Sequence, residues 1–119
     1  MEKQELKART KVFALRVMKM INHLPRNIQG RVIGNQLMRS ATSVAANYRA
    51  ACRARSTAEF IAKLGNVLEE VDESELWLEL IVEGKLLPVK RLSELIKEAG
   101  ELSAIIFSAR RSTKLKSNS

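Results

Sequence analysis

The sequence predicts an all-α fold, an antiparallel up-down-up-down four-helix bundle, and three observations lead there. Apolar residues recur at intervals of three, four and seven in four successive segments, which is the period of a helix buried along one side. Only 4% of the 119 residues are aromatic while Ala, Leu, Glu, Lys and Arg abound, a balance that favours packed helices over strands. Short breaks carrying Pro, Gly, Asn or Ser separate the segments, and helices joined by short connections pack antiparallel.

In the first segment Leu6, Phe13, Val17, Met20, Ile21 and Leu24 share one face. Pro25 ends it, because proline disfavours α geometry at Leu24. Asn27 is suited to cap the second segment, its side-chain oxygen accepting from an orphan N–H of the first turn. That segment runs to about Ala54. Gly30 and Gly34 weaken its start by roughly 1 kcal/mol each relative to alanine, while permitting close helix contact.

Ser56 and Glu59 have the spacing of a capping box, in which each side chain bonds the other residue's backbone N–H, so a third helix begins there. Its stripe is Phe60, Leu64, Val67, Leu68, Val71, Leu78 and Ile81, interrupted by Ser74, and Gly84 is its expected C-cap. Pro88 suits the first turn of a fourth helix, with Leu92, Leu95, Ile96, Ala99, Leu102, Ile105, Ile106 and Ala109 on its buried side. One domain over residues 1–111 is expected, followed by a basic, disordered tail over 112–119.

Charge divides sharply along the chain. The net charge is +8, yet between Ser56 and Glu83 eight carboxylates accompany a single base, Lys63. Everything outside that stretch is strongly basic, which suggests a cationic surface open to a polyanion. One cysteine, Cys52, excludes an internal disulfide, no run approaches the roughly 20 apolar residues of a membrane span, and the first ten residues lack the apolar centre of a signal peptide. The expectation is a cytoplasmic protein with no membrane association.

The stretch "RSATSVAANYRAACRAR" of the second helix carries the functional signal. At about 100° per residue, Arg31, Arg39, Arg49 and Arg53 fall on one narrow stripe. Ile33, Leu37, Ala41, Val44, Tyr48, Ala51 and Cys52 fall opposite, as the buried face. Guanidinium groups bind phosphates bidentately and stay charged at every relevant pH, so such a row suits a nucleic-acid backbone. Arg55 and the basic end, Arg110, Arg111, Lys114 and Lys116, are expected to assist. Binding of RNA or DNA in this way is insensitive to base sequence and weakens with salt.

Small residues thin the same helix, so neighbours approach closely. Gln36, Ser40, Ser43 and Asn47, with Glu69, Glu73 and Trp77 of the third helix, are assigned to subunit contacts. The alternative reading is a structural scaffold in which the basic second helix docks on the acidic third helix of the next subunit, without nucleic acid.

No constellation for enzyme chemistry emerges. His23 sits at a helix end without a recognisable nucleophile, and one Cys plus one His cannot supply the ligands of a zinc site. The acids from Glu69 to Glu79 lack the Glu-x-x-His element of bundle metal centres. No catalytic residue, metal or cofactor is therefore expected.

"QLMRSATSVAANYRAACRARSTAEF" followed by "LWLELIVEGKL" resembles the bacterial four-helix proteins encoded in intervening sequences of 23S ribosomal RNA genes, sometimes labelled S23 ribosomal proteins. The likeness spans about Phe13 to Ile106 and centres on the Gln36–Asn47 core with Glu59-Phe60 after it. The same fold group includes the accessory protein of diversity-generating retroelements. The resemblance implies a four-helix protomer, a ring-shaped homo-oligomer with five copies favoured, and RNA, DNA or a reverse transcriptase as partner. Many relatives carry Glu-Gly shortly after the matching asparagine, where this chain has Ala50-Ala51, leaving the surroundings of Arg49 and Arg53 more cationic.

Overall fold

The computed structural model describes residues 1–118 and contains four α-helices: α1 (Lys3–Ile21), α2 (Ile28–Cys52), α3 (Thr57–Glu83) and α4 (Ser93–Ser117). They alternate in direction around one core, α1 beside α2, α2 beside α3, α3 beside α4, with α1 and α4 closing the bundle more loosely. At 1.5 Å per residue the three longer helices are each about 40 Å rods. The molecule is correspondingly elongated, 51 × 20 × 20 Å.

Local chemistry sets most of the boundaries. Asn27 caps α2 by accepting from the Gly30 N–H at 2.8 Å. Ser56 Oγ accepts from the Glu59 N–H at 3.0 Å, but the return bond of the capping box is displaced by one residue: Glu59 Oε2 accepts from the Arg55 N–H at 3.1 Å. At the end of α3 the left-handed residue is Lys85 (φ 57°), not the glycine before it. Gly84 keeps a right-handed backbone and donates its N–H to Leu80 O. Pro88 opens a single 3-10 turn over Val89–Arg91, and α4 starts only at Ser93.

The expected disorder beyond residue 111 is corrected, because α4 continues to Ser117. Ala109, Arg110 and Thr113 are half-buried there, Thr113 Oγ1 donates to Ala109 O at 2.8 Å, and Lys114 and Lys116 favour the negative end of the helix dipole. Ser119, the last residue of that expected tail, lies outside the described residues.

The core is apolar along the whole rod. Phe13, Leu37, Leu64, Leu78, Ile81, Leu92, Leu102 and Ile106 are fully buried, as the four stripes require. Ser40 and Ser74 are buried too, and their hydroxyls meet at 2.9 Å, each also within reach of a carbonyl of its own helix, Leu37 O and Glu70 O, so that one hydroxyl donates to the other and the second donates to its helix. Two satisfied hydroxyls in place of two larger apolar groups bring α2 and α3 together. Arg9 ties α1 to α4, its Nε and Nη2 each 2.7 Å from a carboxylate oxygen of Glu98 and Nη2 3.0 Å from Glu101. The hydrogen-bonded Glu98 carboxylate, chiefly, holds that guanidinium above its usual value.

Two glycines of equal helix propensity sit in opposite surroundings. A Cβ on Gly30 would stand 2.0 Å from Pro25 O, where the turn from α1 presses against α2, whereas one on Gly100 meets nothing within 4 Å. Gly100→Ala is expected to stabilise the fold by up to about 1 kcal/mol and Gly30→Ala to destabilise it. Urea unfolding of both variants checks this, and shifts of the same sign contradict it.

Candidate nucleic-acid interface

Burial of Leu37, Ala41, Val44, Tyr48 and Ala51 sets the rotation of α2 and turns Arg31, Arg39, Arg49 and Arg53 all to solvent, as the helical period requires. Their surroundings differ. Arg39 lies on the α2–α3 seam, with Nη1 3.1 Å from Glu70 Oε2 and Nη2 hydrogen-bonded to Glu73. The Glu73 hydrogen bond first, then the Glu70 charge, raise its pKa further. Arg39 is thus engaged inside the protomer. Arg31 stands near the other end, bordering a shallow depression with Arg26, Asn22 and Asn35 where α1 turns into α2.

Arg49 and Arg53 occupy the lower half of α2 beside the first half of α1. There they border a groove of about 460 Å³ together with Lys7 and Lys11, over a floor of Ala45, Ala46 and Ala50. The lysines stand at i and i+4 on the edge of α1 nearest α2, and the alanines leave the space that longer side chains would fill. No carboxylate lines the groove, and among the described residues no ion pair engages any of the four cations. Two rigid planar forks and two mobile point charges facing one depression are a donor set of the kind that phosphate oxygens can accept from. Lys7 and Lys11 are absent from the residues that the sequence singles out; their four-residue spacing was a signal, but only packing shows which helix they face.

The remaining predicted cations scatter. Arg55 is exposed in the turn between α2 and α3. Arg110 lies across Gly65, where a Cβ would come within 3.3 Å of Nη2, and its Nε donates to Ile61 O at 2.9 Å. Arg111, Lys114 and Lys116 are exposed on the last turns of α4.

Of the residues assigned to subunit contacts, Ser40 is corrected: it is fully buried within the protomer and bonded to Ser74. Glu73 is half-buried and engaged by Arg39. Gln36 and Glu69 are exposed, Ser43 and Asn47 half-buried. Trp77 packs against the core with its Nε1 buried and without a partner among the described residues. Cys52 is half-buried against the same core, and burial first, then the neighbouring Cys52, raise the pKa of Tyr48. On α3, burial first and then the like charges of Asp72 and Glu79 raise the carboxyl of Glu75. No helix among the described residues is long and apolar enough to cross a membrane.

Comparison with known proteins agrees with this architecture. No curated protein matches the chain. The crystal structure of a protein of unknown function from the S23 ribosomal protein family of Bacteroides thetaiotaomicron superposes with a TM-score of 0.86 at 30% identity, over 93% of this chain and 99% of that one. The family model of the 23S rRNA-intervening sequence proteins matches residues 2–108. With the four-helix core and the Gln36–Asn47 segment inside that span, the chain belongs to the 23S rRNA-intervening sequence protein family.

Proposed function

We propose that this protein is a non-enzymatic helical bundle that holds the phosphate backbone of RNA or DNA in the α1–α2 groove, serving in the cytoplasm as an accessory to a larger nucleic-acid enzyme such as a reverse transcriptase. The observation that carries the reading is the cluster of Lys7, Lys11, Arg49 and Arg53 around an alanine floor with no carboxylate in its lining. Phosphate contacts of this kind fix position without reading bases. Titration at low salt against RNA and duplex DNA tests it. Replacing both Arg49 and Arg53 by Gln is expected to weaken binding roughly tenfold or more and to flatten the salt dependence by about two counterions. Arg39→Gln is expected to leave binding unchanged, because Glu70 and Glu73 already hold that side chain. Wild-type protein that binds neither polyanion, or an Arg39 variant as weak as the Arg49/Arg53 pair, contradicts the reading.

Self-association is a compatible second reading, and exposed apolar residues support it. Val12, Leu15 and Met18 are 41–52% exposed on the outer side of α1 among Lys11, Arg16 and Lys19, and Leu76 and Leu80 are exposed on α3 among Glu69, Asp72, Glu79 and Glu83. Since α1 and α3 occupy opposite corners of the bundle, joining them between copies makes a head-to-tail contact, the kind that closes into rings. The other contact, α2 docked on a neighbour's α3, would draw on Arg31, Arg49 and Arg53, since Arg39 is already engaged within the protomer. Leu15→Glu is expected to reduce an oligomer to single protomers in light scattering while the helical signal persists. A wild-type protein that is monomeric at high concentration contradicts it.

A further inference from the structure

We propose that Phe107 and the cations around it form a second contact, selective for single strands, in which the ring stacks on an unpaired base while Arg111 and Lys114 hold the flanking phosphates. The inference rests on the nucleic-acid reading above but concerns a different place, the outer side of α4. Phe107 is 58% exposed and adjoins the fully buried Ile106, so it lies off the apolar stripe and core packing does not explain it. Along the helix its surface neighbours are Ser103 and Ala104 on one side and Arg110 and Arg111 on the other, with Lys114 one turn beyond Arg110.

The small residues leave one approach to the ring open, and Gly100, a turn further back, faces empty space. A cavity of about 130 Å³ opens between Phe107, Arg110, Arg111 and Lys114, and no carboxylate borders it. Arg110 is fixed by Ile61 O and seated against Gly65, so one cation beside the ring is already ordered before a ligand arrives. An aromatic face with cations at its rim accepts any base that is free to stack. A duplex keeps its base faces inside the stack, so only an unpaired strand satisfies both the ring and the charges.

The test compares a uridine-rich, unstructured RNA with a duplex of the same length, both fluorescently labelled. Phe107→Ala is expected to weaken single-strand binding roughly tenfold and duplex binding by less than about twofold, with Phe107→Tyr restoring the former. Equal losses on the two ligands, no loss on either, or a fall in oligomer mass caused by Phe107→Ala overturn the proposal, the last by making the ring a subunit contact. A wild-type protein that binds neither RNA defeats the groove reading as well, whereas wild-type binding that survives Phe107→Ala intact defeats this proposal alone.

Discussion

The rotation of α2 about its own axis is the constraint on which the rest depends. Burying Leu37, Ala41, Val44, Tyr48 and Ala51 between α1 and α3 leaves that helix a single angular setting, since turning it would expose these residues and bury arginines. Every polar consequence follows from that setting. Ser40 reaches the α2–α3 seam and meets Ser74, Arg39 emerges just outside it and meets Glu70 and Glu73, and Arg49 and Arg53 emerge on the far side near Lys7 and Lys11.

The bundle therefore sorts its charge by seam. Where α2 meets α3 and where α1 meets α4, carboxylates of the neighbouring helix take up arginines: Arg39 with Glu70 and Glu73, Arg9 with Glu98 and Glu101. These pairs are partly exposed and contribute modestly to stability, but they take two cations out of competition for an external anion. Where α2 meets the first half of α1, both sides are basic and the floor is alanine. Positive charge that finds no partner inside the fold accumulates there, and Ala50 in the floor brings no carboxylate to offset it.

What was legible in the sequence is what lies within one helix. The stripes of Leu37 and Val44 or Leu102 and Ile106, the caps at Asn27 and Ser56, and the outward row of arginines depend on periodicity and local hydrogen bonding alone. What was not legible depends on register between helices. Nothing in the spacing of Arg39 announces that two carboxylates more than thirty positions away will stand opposite it, nor that Lys7 and Lys11 complete a groove begun by Arg49 and Arg53. Ser40 misled because a polar residue at the margin of a face suits a subunit contact as well as a buried hydroxyl pair, and the polar composition after Arg111 concealed a helix that Ala109, Arg110 and Thr113 anchor from within.

The central claim is that an anion is drawn to the α1–α2 groove and not to the arginine row as a whole. Side-chain NMR during titration with a short duplex resolves the two directly, by following the Lys Nζ and Arg Nε groups one by one. The groove account predicts early, saturable shifts at Lys7, Lys11, Arg49 and Arg53 with Arg39 unmoved. Shifts of equal size at Arg39, or none at the two lysines, would contradict it.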